Sequence, residues 1–333
     1  MEYRELGRTG LHVSMLGFGC GNVGGLIIRG AHPDRVRGVA RAMEAGINYF
    51  DTAPSYGNGQ SEENLGQVLR ELKAQVHVGT KVRIPPEAFG DLRSAVTHSV
   101  EASLQRLGRE QVDLIQLHNH IARRRDTEEA TLSVQDVLGD VVGTFQQLQA
   151  QGKVRYFGIT ALGDTAALHE VIDSEALYTA QVCYNLLNPS AGQSVPAGFP
   201  SQDFGQLIDR AAAKRMGCIG IRVLAAGALS GVMERHPIAV PSVAPIGTGP
   251  DYQTDVKLAQ TLSFLVEAGY AASLVEAAMR FAWSKPALST VLVGFSSLDH
   301  LEQAIAAVER GALPAAAMQR LSQAWGAFAA QRF

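Results

Sequence analysis

Gly46-Ile47-Asn48-Tyr49-Phe50-Asp51-Thr52-Ala53-Pro54-Ser55-Tyr56-Gly57 reads as a short apolar strand that ends in a carboxylate. A tight turn follows and presents a phenol. Working outward, the same unit recurs along the chain: an apolar run, a loop, then a helical pattern. The strand-like runs are residues 15–19, 48–51, 76–81, 114–117, 154–160, 180–184, 218–223 and 290–294. Helical patterns follow at 33–45, from Ser61 as N-cap, and at 92–107, 134–151, 164–173, 203–214, 272–284 and 298–310, with one more near 315–331. Strands alternating with helices imply a parallel sheet, and eight repeats imply a closed (β/α)8 TIM barrel. Residues 3–6 and 11–14 flank the turn Gly7-Arg8-Thr9-Gly10 and suggest an N-terminal β-hairpin. No Pro/Gly-rich linker divides the chain, so residues 1–333 are read as one domain.

Composition narrows the function classes. Of 333 residues, 46% are hydrophobic and 18% charged, an ordinary mix for a chain with a sizeable core. A net charge of −3 gives no nucleic-acid footprint, and Arg123-Arg124-Arg125 reads as a short solvated run. No apolar run is long enough to cross a bilayer, and Met1-Glu2-Tyr3-Arg4 lacks signal-peptide character. Cys20, Cys183 and Cys218 lie far apart in apolar segments, as buried thiols do in a reducing compartment. The expected location is cytoplasmic.

Three long loops, 119–133, 188–202 and 233–255, all follow strands. In a barrel of this kind they lie at the C-terminal mouth, where active sites sit. Four polar residues also reach that mouth: Asp51, Lys81 and His118 at the ends of three successive strands, and Tyr56 on the turn after Asp51. Each alone has an ordinary explanation as a turn cap, a half-buried aromatic or a satisfied histidine. Together they suit acid catalysis. A phenol is a poor proton donor at neutral pH. A nearby ammonium stabilises the phenolate, and a carboxylate keeps the ammonium charged and placed.

The stretch from Gly46 to Ala53, with Tyr56-Gly57, Ser61-Glu62 and Leu65-Gly66, resembles the signature of the aldo-keto reductase superfamily. The Lys81 strand, the Asp113 to His118 strand and Gly152-Lys153-Val154-Arg155-Tyr156-Phe157-Gly158-Ile159-Thr160 are similar to its later motifs. The resemblance implies an NAD(P)-dependent oxidoreductase acting on a small carbonyl or sugar. Tyr56 would be the general acid, Lys81 and Asp51 its tuners, and His118 would orient the carbonyl, with Asn119 beside it in the substrate pocket.

Gly19-Cys20-Gly21-Asn22-Val23-Gly24 matches a dinucleotide-binding pattern. The next helix is expected only near Pro33, and no spaced acidic ribose ligand follows. The resemblance instead places Gly19 and Cys20 at the nicotinamide end. Phosphates are expected at Gly294, Ser296 and Ser297, which lead into the helix from Leu298. His300 is the candidate cation of that run, where Gln303 and Ala304 replace the family's usual carboxylate and Asn. The absence of a basic clamp leaves NAD(H) open beside NADP(H). Thr160 and Gln181 are carboxamide candidates. Arg222 and Leu224 lie where the family usually stacks a Tyr. His118-Asn119-His120 lacks the further ligands a metal site needs. Two alternatives to carbonyl reduction stay open: an NAD-dependent aldose 1-dehydrogenase, and a cofactor-binding regulatory subunit with weak turnover.

Overall fold

The computed structural model describes residues 1–330, so the end of the expected last helix, at Gln331, lies outside the described residues. Strands β1 (Tyr3–Glu5) and β2 (His12–Ser14) pair as the antiparallel hairpin. Eight further strands close a barrel: β3 (Leu16–Gly19), β4 (Tyr49–Asp51), β5 (His77–Val82), β6 (Val112–Leu117), β9 (Val154–Thr160), β10 (Thr179–Cys183), β11 (Gly217–Ile221) and β12 (Leu288–Gly294). Pairing runs in that order and closes parallel through Val291 of β12 opposite Leu16 of β3. Both faces of these strands are covered, which is why they read as apolar runs rather than alternating ones.

Two cores result. The larger fills the space between barrel and helices and includes Phe18, Phe50, Val78, Ile115 and Phe157. The smaller lies inside the barrel, where Tyr49, Leu114 and Ile219 meet Leu6, Leu11 and Val13 from the hairpin segment. The hairpin thus plugs the lower end and leaves the upper end for chemistry.

Differences from expectation are local. The 16-residue helix Leu92–Leu107 forms as expected, capped by Asp91, whose carboxylate accepts from the Ser94 amide. The helix read from Ser61 starts instead at Gln60, after Gly59 with a positive φ of 91°. Residues 134–151 are interrupted by a widened turn at Val137–Val141, within a valine-rich run containing Gly139 and Gly143 that weakens the regular ladder. A one-turn helix, Leu26–Arg29, forms soon after the first glycines, ahead of His32–Glu44, so the next helix does not wait for Pro33. Loop 119–133 contains two paired strands, β7 (His120–Ala122) and β8 (Thr131–Ser133). Helices Tyr252–Gln260 and Phe264–Glu267 were not anticipated, although Asp251 caps the first by accepting from the Thr254 amide.

Residues of the Ser61 to Gly66 stretch are scaffolding. The Ser61 hydroxyl donates to the Cys20 carbonyl at 2.9 Å and accepts from Thr52 at 2.8 Å. Fully buried Glu62 accepts from Thr80 at 2.5 Å and pairs with Arg106 at 2.6 Å. A Cβ on Gly66 would stand 2.3 Å from the Leu107 carbonyl oxygen, so this glycine sets the approach of two helices. Gly66→Ala is expected to cost roughly 1–3 kcal/mol by overpacking. Thermal unfolding checks it, and an unchanged midpoint would show that the Leu107 carbonyl yields freely.

Candidate active site

Strand register brings the polar residues of the sequence together. Asp51 closes β4 opposite Gly79 of β5, Lys81 stands in β5 opposite Gln116 of β6, and His118 follows β6. The Lys81 Nζ donates to Asp51 Oδ2 and, at 2.8 Å, to the Thr52 carbonyl oxygen. Gln181 Nε2 donates to the other Asp51 oxygen at 2.6 Å. The Lys81 ammonium also lies 4.9 Å from the centroid of the Tyr56 ring. Tyr56 and His118 face each other edge to face, with ring centroids 6.4 Å apart.

The turn carrying Tyr56 is held from below and from the side. Asn22 Oδ1 accepts from the Gly57 amide at 3.2 Å, and Gly21 passes close to the Tyr56 ring, where a Cβ would lie 3.4 Å away. The glycines of the first loop therefore serve close packing. Gly24 shows it most clearly, since a Cβ there would stand 2.5 Å from the Phe295 backbone nitrogen.

Electrostatics follow from burial. Asp51 and Lys81 are 3% and 1% exposed. Burial pushes the Asp51 carboxyl up, against the pull of Lys81 and Gln181. Burial pulls Lys81 down, but Asp51 and Tyr56 more than offset it, so the amine is held as an ammonium. Burial, together with Lys81 and Arg83, pushes His118 down to about 3. Its imidazole is therefore neutral at ordinary pH, and its buried Nδ1 meets no partner among the described residues. Burial beside Asp51 pushes the Cys20 thiol up, so it is inert.

The other sequence candidates divide into two groups. Around the tetrad, the Cys20 amide donates to the Asp51 carbonyl at 2.9 Å, next to Gly19. The Thr160 hydroxyl donates to Gln181 Oε1 at 3.3 Å, so both side chains are linked to Asp51. Arg222 is near enough to feel Tyr56, holds an unusual positive φ of 56°, and donates to the Ala244 carbonyl at 3.1 Å. Leu224 is half-buried just beyond it. Asn119 is 1% exposed, and its amide is committed to the backbones of Ile84 and Ala130, so it braces the wall of the mouth.

The second group sits at the end of β12. Gly294 is exposed, and Ser297 caps the 12-residue helix Leu298–Glu309, accepting from the His300 amide at 3.3 Å. Ser296 donates instead to the Gly24 carbonyl at 2.7 Å. The His300 ring meets that of His236 at 5.5 Å between centroids, and Gln303 is exposed. The third long loop crosses this region. Arg29 donates to the carbonyls of Ile238 and Asn22 at 2.5 and 2.6 Å. A cavity of about 550 Å³ opens against that loop, lined by Arg235, His236 and Tyr252 among others. Among the described residues no three His, Cys, Asp or Glu side chains gather as a metal site would require.

Sequence reasoning missed the Gln181 contact with Asp51 and the Tyr49 hydroxyl below it. Strand alternation, which puts Tyr49 and Asp51 on one face, could have found the second.

The chain is similar to an L-galactose dehydrogenase of Arabidopsis thaliana, 29% identical over 313 residues, which span 92% of this chain and 88% of that protein. It is 31% identical over 217 residues to a D-threo-aldose 1-dehydrogenase of a Pseudomonas species, spanning 57% of this chain and 63% of that protein. A holo-form aldo-keto reductase from Bacillus halodurans superposes with a TM-score of 0.72 over 97% of this chain and 96% of that one, at 23% identity, a likeness of fold. The aldo/keto reductase family model matches residues 15–325, and with nearly the whole barrel inside that match the chain belongs to the aldo/keto reductase family.

Proposed function

We propose that the protein interconverts a carbonyl and an alcohol with a nicotinamide cofactor, using Tyr56 as general acid in reduction and general base in oxidation. The observation that carries this reading is the buried Asp51–Lys81 pair, whose ammonium lies against the Tyr56 ring and opposite His118. Membership of the family implies oxidoreductase activity.

The residues at the end of β12 fit a dinucleotide. A Cβ on Gly294 would come within 3.3 Å of the Gly24 backbone nitrogen, so this exposed glycine lets the first and last loops meet closely beside the helix that follows. The free amides that open the helix from Leu298 suit a phosphate. Bound there, a nicotinamide cofactor supplies or accepts the hydride. The chain's residues do the rest. The neutral imidazole of His118 orients the substrate oxygen. The Tyr56 hydroxyl gives that oxygen its proton, and the Lys81 ammonium stabilises the phenolate left behind. Asp51, fixed by Gln181, keeps Lys81 charged and aimed. In the reverse direction the Tyr56 phenolate takes the proton of the substrate hydroxyl.

A second reading, oxidation of an aldose at C1 with NAD, is supported by the similarity to the two sugar dehydrogenases and by the β12 end itself. Arg41 is engaged by Glu302 of that helix through two hydrogen bonds of 2.6 and 2.9 Å. His300 and His236 are then the imidazoles left for a 2′-phosphate.

Three outcomes are expected. Tyr56→Phe lowers carbonyl reduction by about 10²- to 10⁴-fold while cofactor still binds; near wild-type turnover by this variant would remove Tyr56 from the role. With galactose- and fucose-type sugars, turnover with NAD⁺ exceeds that with NADP⁺ under the second reading, and steady-state rates with both cofactors decide it. The third concerns acid stability. His118 falls from an ordinary 6.5 to about 3 in the fold, so below about 6.5 the unfolded chain takes a proton that the native chain refuses. Its contribution to stability is complete above that pH and is lost as pH falls towards about 3. Urea unfolding across this window should show a shallower pH dependence for His118→Asn than for wild type.

A further inference from the structure

Below Asp51 the barrel interior turns polar. Tyr49 of β4, Gln116 of β6 and Thr290 of β12 are each 0% exposed. The Tyr49 hydroxyl donates to Asp51 Oδ1 across 3.5 Å, the limit of a direct hydrogen bond. Its ring fits because two neighbours have no side chain. A Cβ on Gly79 would stand 2.4 Å from the Tyr49 hydroxyl oxygen, and one on Gly17 would stand 3.3 Å from its ring and 3.0 Å from Thr290 Oγ1.

Gln116 faces the Tyr49 hydroxyl. Even so, neither its amide oxygen nor its nitrogen finds a hydrogen-bond partner among the described residues, and the same holds for Thr290 Oγ1. A buried amide without a partner costs about 1–3 kcal/mol, so native folds rarely keep one dry. Buried polar atoms that lack a protein partner are commonly satisfied by ordered water. The floor beneath is apolar, formed by Leu114, Ile219 and the hairpin segment. Carboxylate Asp51 is the charged group above.

We propose that Tyr49 and Gln116, bridged by buried water, form an inner arm of the Tyr56–Lys81–Asp51 chain that steadies the Asp51 carboxylate from below. Tyr49 is then a positioning residue for the reaction. The catalytic half of this inference rests on the function proposed above; the water-linked arm does not.

The sign follows from the groups that face Asp51. Lys81 meets it on the mouth side, with the Tyr56 phenol beyond, and the Cys20 thiol lies beside it. The Asp113 carboxylate also acts on Tyr49 and is itself held by His77, Arg155 and the Val78 amide. The Tyr49 hydroxyl favours the charged form of Asp51. Removing it lets Asp51 take a proton at higher pH, and a protonated Asp51 releases Lys81.

Two variants test this, Tyr49→Phe and Gln116→Met, each nearly conserving volume. In both, kcat is expected to fall about five-fold, the worth of one hydrogen bond, with KM unchanged. The acid limb of the kcat profile moves to higher pH while the basic limb stays, which a merely structural residue would not produce. Thermal stability of Gln116→Met falls, and the double variant loses less than the sum of the two. An unmoved acid limb in Tyr49→Phe overturns the positioning role. A Gln116→Met protein at least as stable as wild type overturns the water-linked arm. If Tyr56→Phe keeps its activity, the function has failed rather than the arm, and the stability readouts with their non-additivity still decide the latter.

Discussion

The structure is organised by one buried ion pair. Asp51 and Lys81 are both nearly inaccessible, and taking two charges out of water costs several kcal/mol each. Such a pair persists only where further hydrogen bonds complete it. The Thr52 carbonyl takes a second proton of Lys81, Gln181 takes the second oxygen of Asp51, and Thr160 fixes Gln181 in turn. These contacts tie side chains of β4, β5, β9 and β10 together across the barrel interior. A hydrophobic replacement could stabilise the fold equally well. Under the proposed function the pair acts on Tyr56.

The mouth above the pair is braced by loop-to-loop contacts rather than by strands. Gly24 packs on Phe295, and Ser296 donates back to Gly24, which locks the first loop to the last. The third long loop is tied to the first by Arg29 and to the second by Asn188, whose amide reaches the Gly247 carbonyl. Precise placement of a few side chains is what orientation effects in catalysis require. Here the scaffold supplies it through backbone carbonyls and small residues.

Much of this was legible in the chain itself. Eight apolar runs with helical patterns between them define the barrel, and the residues that end successive strands define the tetrad. What stayed hidden depended on three-dimensional proximity. The link from Gln181 to Asp51 spans 130 positions. The pattern Gly19 to Gly24 could be set aside as a phosphate loop from its sequence context, but that Gly24 yields space to the Phe295 backbone shows only in the packing. Asn119 was read as a substrate contact, and its amide is taken up by two backbone segments. Helix Tyr252–Gln260 was hidden behind a loop rich in Pro and Gly, although its Asp251 cap was in plain view.

In the proposed function the Asp51–Lys81 pair makes Tyr56 a proton donor. Lys81→Met tests it most directly, in a single turnover of cofactor-loaded enzyme with an aldehyde. The variant is expected to keep near-normal cofactor affinity with a reduction rate at least about 100-fold lower, the scale of lost acid catalysis. A folded Lys81→Met protein that reduces the aldehyde at the wild-type rate would contradict it.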